Sequence, residues 1–134
     1  SEPDCVYTVY VKTGSIIKGG TDANISAIFY ESSGTGIWIK NLVLWGGIRG
    51  TDYDYFERGN VDIFTGAAPC LRGPICALNL TSDGTGPHPG WNCKSVEVTA
   101  TGWRKECAQQ TFQIDQWLAD DAPPYSLSAF RNYC

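Results

Sequence analysis

The chain has 134 residues, of which 43% are hydrophobic and 13% aromatic, enough for one packed domain over 1–134 and too much for a disordered segment. Its 10 Lys+Arg against 14 Asp+Glu leave a net charge of −4 without a basic cluster, which argues against nucleic acid as a partner. With 15 Gly, 7 Pro and only 18% charged residues, short strands and tight turns are favoured over long solvated helices.

In chain order, Val6 to Lys12 is rich in β-branched and aromatic residues and reads as a first strand. Thr13 to Ala23 is a glycine-bearing loop, and Asn24 to Glu31 reads as strand two. A polar turn from Ser32 to Gly36 leads to strand three, Ile37 to Trp45, with a break near Asn41. The long loop Gly46 to Asn60 carries Asp52, Asp54 and three aromatics. Val61 to Phe64 and Ala77 to Thr81 read as short strands, separated from the next by the turn-rich loop Ser82 to Gly90. Ser95 to Thr101 alternates as a half-buried strand, Gly102 to Lys105 turns, and Thr111 to Leu118 holds a seventh strand. Asp115 to Asp121 could form a helical turn that Pro123-Pro124 would stop, and Tyr125 to Phe130 leaves an eighth strand open. Seven or eight short strands without a helical stripe point to an antiparallel β-sandwich.

Six cysteines (Cys5, Cys70, Cys76, Cys93, Cys107 and Cys134) without a CxxC pair read as three disulfides rather than a metal site. Cys70 and Cys76 flank a short Leu-Arg-Gly-Pro-Ile turn and are expected to pair; the other partners stay open. An oxidising compartment follows, extracellular or the lumen of the endoplasmic reticulum. The sequons Asn24-Ile25-Ser26 and Asn79-Leu80-Thr81 agree with that reading and mark Asn24 and Asn79 as glycosylation candidates. The opening Ser1-Glu2-Pro3-Asp4, in a chain without Met, reads as a processed product. No run of about 18 apolar residues occurs, so no transmembrane helix is expected.

Tyr10-Val11-Lys12-Thr13-Gly14, followed by Gly20-Thr21-Asp22-Ala23-Asn24, resembles the opening of the PLAT (LH2) domain. So do Phe56-Glu57-Arg58-Gly59-Asn60-Val61-Asp62-Ile63-Phe64 and the Asp83-Gly84 to Gly90-Trp91 loop with the Val96-Glu97-Val98 strand after it. With the cysteines and the Asn-Tyr-Cys end, the chain resembles the small stand-alone plant PLAT proteins of the stress-related and embryo-specific type. The resemblance implies an eight-stranded β-sandwich of two four-stranded sheets and association with abiotic stress. In larger relatives such as lipoxygenases and lipases the module is accessory, bringing an enzyme to lipid or to a protein partner, in some members through calcium.

The sandwich so implied puts the loops of Asp22 and Asp54 at one end. Calcium takes six to eight oxygens, and the set expected to supply them is the Gly20 carbonyl, Asp22, Asn24, Asp52 and Asp54. Compared with calcium-binding relatives, this chain has Lys18 ahead of the glycines and Tyr55 directly before Phe-Glu-Arg-Gly, so Asp54 stands one residue early. Asp22 serves equally well as the residue that orders its own turn. Arg58 and Asp62 read as structural, Arg58 clasping a carboxylate or carbonyl and Gly59 supplying an unusual backbone angle. Trp45 and Ile48 are candidates for an exposed tip that meets a membrane or a protein partner, Trp45 alternatively ending strand three inside the core. Trp91 and Trp117 match core positions of the family.

Catalysis finds no recognisable constellation, since the one histidine, His88, lies in a Gly-Pro loop without an evident nucleophile. The expectation is a non-catalytic module that docks to a lipid surface or a protein, with calcium as its metal. The rival readings are a protein-interaction or stress-protective protein that never touches lipid, and carbohydrate recognition on an aromatic face.

Overall fold

In the computed structural model, which describes residues 3–103 and 105–134 (Lys105 by its backbone alone), alternation of apolar and polar side chains sets each strand's inner face. In β1 (Cys5–Thr13), Cys5, Tyr7, Val9 and Val11 are buried while Val6 and Lys12 are exposed. The same pattern orients β2 (Ile25–Glu31) through Ile25, Ala27 and Phe29 and β5 (Ile75–Ser82) through Leu78 and Leu80. The remaining strands are β3 (Gly36–Ile39), β4 (Val61–Ala68), β6 (Trp91–Gly102), β7 (Lys105–Leu118) and β8 (Ser128–Asn132). They form two four-stranded sheets, ordered β4-β1-β6-β7 and β3-β2-β5-β8, with every pairing antiparallel. The inner faces meet over Phe29, Phe64, Phe112, Trp91 and Leu118. The expected eight-stranded sandwich is therefore the fold.

Several element boundaries differ from the sequence reading. Strand three ends at Ile39, and Leu42–Gly46 forms a short helix, α1. Asn41 is its N-cap, accepting the Leu44 N–H through its side chain at 3.1 Å, which is why the break falls there and the chain beyond it leaves the sheet. β4 runs on to Ala68 because β1 pairs with it as far as Cys5. Gln116 to Leu118 pair with β6 within β7 instead of turning helical, and Asp115, with a left-handed φ of 48°, sits at the irregularity just before them. The eighth strand begins only at Ser128, since Tyr125 takes a left-handed φ of 62° in a turn. The expected Gly102 to Lys105 turn contains Arg104, which lies outside the described residues, as do Ser1 and Glu2.

The cysteine pairing is also corrected. Cys5 bonds to Cys70 and Cys76 to Cys134, each with a Cα–Cα distance of 4.9 Å; Cys70 and Cys76 do not pair. The turn between them carries the chain from β4 in one sheet to β5 in the other, so Cys70, just past β4, bonds to Cys5 of β1, and Cys134, just past β8, bonds to Cys76 of β5. Cys93 and Cys107 are free, which reduces three expected disulfides to two. They sit near opposite ends of the β6–β7 pair, roughly 26 Å apart along the strands. Cys93 is enclosed, and burial pushes its thiol well up, whereas Cys107 is exposed. Alkylation of the native protein followed by peptide mapping is expected to modify Cys107 alone, with Cys93 reacting only after unfolding and four cysteines recovered in the two disulfides.

Candidate functional site

The strand order places the loops 14–24, 47–60, 83–90 and 119–127 at one end of the sandwich and both disulfides at the other. At the loop end the residue that ties the segments together is Phe56. Its ring packs against Phe64 at 5.5 Å and edge-on to Trp91 at 5.3 Å between centroids. Its backbone stands in the left-handed region at φ 62°, uncommon for a bulky side chain. Two main-chain bonds hold it there: its N–H donates to the buried Asp62 carboxylate at 2.8 Å, and its carbonyl accepts the Thr21 N–H at 3.0 Å. Thr21 Oγ1 donates in turn to Pro89 O at 2.9 Å, and the Asp22 N–H to His88 O at 3.2 Å. Three loops are thus stitched through a pair of adjacent residues. Glycine is needed at Gly20, where a Cβ would come within 3.0 Å of Phe56 O and 3.1 Å of a Glu57 carboxylate oxygen.

This stitching brings Asp22, Asp54 and Glu57 together, with carboxylate oxygens all within 4.8 Å of one another. A hydrogen bond that the protonated Glu57 donates to Asp54 acts first, then burial, then the charges of Asp54, Asp22 and Asp62, and together they push the Glu57 carboxyl up to about 7. Asp62 is likewise raised, chiefly by burial, which outweighs the Phe56 N–H. Calcium–oxygen distances of about 2.3–2.6 Å place ligands on opposite sides of the ion roughly 5 Å apart, so the spacing and the hard oxygen donors suit that ion.

The structure joins Asp22 and Asp54 as expected, and adds Glu57, which the sequence reading absorbed into an architectural motif. Its signal was the three-residue spacing from Asp54 across a turn-forming stretch. Asp52 is exposed and outside the carboxylate group. Gly20 lies beside Glu57, while Asn24 is committed elsewhere: its N–H and Nδ2 donate to the two Asp83 oxygens at 3.1 and 2.8 Å. Burial alone would raise the Asp83 carboxyl, but the Thr85 and Asn24 donors hold it below the usual range. Tyr55 is buried and its hydroxyl accepts the Arg49 N–H at 2.9 Å, a core role that turns its neighbour Asp54 outward. Arg58 is exposed rather than clasped beneath the loop, where Asp62 is satisfied by a backbone N–H instead. Gly59 does take a positive φ, 75°. Trp91 is fully buried, Trp117 half-buried.

Of the pair expected at an exposed tip, Ile48 is exposed, but Trp45 is half-buried with its indole laid on Gly66, where a Cβ would come within 2.5 Å of the ring. The cap at Asn41 turns Leu44 outward instead, 72% exposed. Leu44 lines one cleft beside Asp22 and Asp54, of about 280 Å³, and Ile17, 73% exposed, lines a second beside Asp22 and Glu57, of about 740 Å³. Lys18 lines the second as well. An acidic cluster flanked by two exposed aliphatic side chains is the outcome.

A family model described as the PLAT/LH2 domain matches residues 7–130. PLAT domain-containing protein 1 of Arabidopsis thaliana is 59% identical over 133 residues, 99% of this chain and 74% of its own length. PLAT domain-containing protein 2 of the same plant is 56% identical, over 99% of this chain and 73% of its own. Among solved structures, the coral 8R-lipoxygenase, described as calcium-activated through a C2-like domain, superposes with a TM-score of 0.68 at 23% identity, over 93% of this chain and 16% of that one. At such identity the likeness carries the fold alone.

Two outcomes follow from the geometry. Because the folded-state value of Glu57 is raised, the stability that its protonated form contributes is complete below its ordinary value and lost as pH rises through about 7. The melting temperature of calcium-free protein should therefore fall between about pH 5 and about pH 8, and Glu57→Gln should flatten that slope. Asp62→Ala leaves the buried Phe56 N–H without its acceptor and is expected to cost about 1–3 kcal/mol in urea unfolding.

Proposed function

This chain belongs to the PLAT/LH2 domain family, and we propose that it is a non-catalytic binding module that docks on a lipid surface through its loop end, with calcium held by Asp22, Asp54 and Glu57. The observation that carries this reading is the placement of those carboxylates between Leu44 and Ile17. A chain of net charge −4 is repelled by anionic lipid. A bound dication supplies the opposite charge at that spot and bridges carboxylates to lipid phosphates, while the aliphatic side chains reach the acyl boundary. The lipoxygenase likeness covers an accessory part of a larger enzyme, and no oxygenase activity transfers with it. Two disulfides and the absence of a helix long and apolar enough to cross a membrane, among the described residues, accord with a secreted or lumenal protein.

Sedimentation with phosphatidylserine-containing vesicles tests the reading. The wild-type protein should pellet with calcium and stay in solution with chelator. Asp22→Asn combined with Asp54→Asn should abolish pelleting, and Leu44→Ala should weaken it severalfold while leaving calcium binding intact. Leu44 is the informative position, because Trp45→Ala would also disturb packing on Gly66. Pelleting that ignores calcium sinks the reading, and failure to pellet under either condition moves it to a protein partner.

A further inference from the structure

Two cross-strand rows, one on the outer face of each sheet, differ in character. On the β4-β1-β6-β7 sheet one cross-strand row consists of Thr65, Thr8, Thr99 and Gln109, all hydrogen-bonding side chains. On the β3-β2-β5-β8 sheet the corresponding row consists of Trp38, Ile28, Asn79 and Phe130, one residue from each strand. Trp38 and Phe130 are 63% and 55% exposed. At the usual strand spacing this row is an apolar strip about 14 Å wide with a single amide in it. Leu78 and Leu80 on either side of Asn79 are fully buried in the core, so Asn79 stands on the outer face. Its Oδ1 is covered by its neighbours yet lacks a hydrogen-bond partner, the only such buried side-chain atom among the described residues. An apolar strip on an outer sheet face and an orphaned acceptor are both features that native surfaces avoid unless something covers them.

Asn79 opens the Asn79-Leu80-Thr81 sequon, and Thr81 stands on the same face two residues on. We propose that Asn79 is an N-glycosylation site whose glycan lies across the Trp38–Phe130 strip. The transfer joins Asn79 Nδ2 to the anomeric carbon of a polyprenyl-pyrophosphate-linked oligosaccharide. A C–N bond forms as the C–O bond to the pyrophosphate breaks, the lipid pyrophosphate leaves, and the amide gives up one proton. Oδ1 stays an acceptor, and a turn of the Asn79 side chain on attachment brings it out beside the hydroxyl and acetamido donors of the first sugar. The C–H faces of the sugar rings remove area of Trp38, Ile28 and Phe130 from water. Position on an outer face lets the chain fold with the glycan already attached. Asn24, the other sequon asparagine, has its amide engaged by Asp83 and Asn41 at the loop end. The proposal requires passage through the secretory lumen, with which the two disulfides agree.

The test is the protein secreted by plant cells, digested and mapped by mass spectrometry before and after amidase treatment, together with hydroxyl-radical footprinting of the intact protein. The Asn79 peptide should carry a glycan and be converted to Asp by the amidase. Oxidation of Trp38 and Phe130 should rise at least threefold in N79Q, while the exposed Trp103 keeps its rate. If N79Q is not secreted, amidase-treated wild-type protein provides the same comparison. An unmodified Asn79 in the secreted chain overturns the proposal, and so does an occupied Asn79 with Trp38 oxidised equally with and without its glycan. Capture of a free oligosaccharide on the strip of an unmodified chain also overturns it.

Discussion

The loop end depends on one buried contact, the hydrogen bond from the Phe56 N–H to the Asp62 carboxylate. Phe56 adopts a backbone conformation that bulky residues avoid, so something must hold it there. The carboxylate does so from one side and the Thr21 N–H from the other, while Phe64 and Trp91 retain the ring. With Phe56 held, its neighbours Asp54 and Glu57 are turned toward Asp22. The acidic cluster is thus a consequence of how one aromatic residue reaches the core.

Crowding three carboxylates is unfavourable without a cation, and the raised Glu57 carboxyl records that cost. The rest of the fold supplies the rigidity to sustain it. Two disulfides close the far end, each tying a strand of one sheet to the segment just beyond another strand of that sheet, and leave the stitched loops as the end free to specialise. Leu44 is presented by a helix too short to be stable alone, held by the Asn41 cap and by Trp45 lying on Gly66. The half-burial of Trp45 and the exposure of Leu44 are two results of the same helical turn.

The sandwich's flat faces divide differently from its ends. Each outer face mixes polar and apolar residues, but the Trp38-Ile28-Asn79-Phe130 row is apolar except for Asn79, whereas the Thr65-Thr8-Thr99-Gln109 row is polar throughout. Recognition at the loop end and cover on the Trp38 face are therefore separate tasks, carried by residues on different elements.

Local periodicity was enough to place seven strands along the chain and left the eighth open, because the side-chain period of two is written directly into Val6 to Lys12 or Ser95 to Thr101. The motif strings around Phe56 and Gly20 were likewise legible, and with them the family. The short helix was hidden, since its capping asparagine looks like any strand-ending residue until the chain turns. Disulfide partners were hidden more deeply: Cys70 and Cys76 are near neighbours in sequence, yet Cys70 follows β4 of one sheet and Cys76 lies in β5 of the other. Asp22 and Asp54 could be read as loop acids, but the inclusion of Glu57 and the exclusion of Asp52 were decided only by the left-handed turn at Phe56. Sequence determines which residues alternate and where turns fall; contacts between segments far apart in the chain exist only once the sheets have packed.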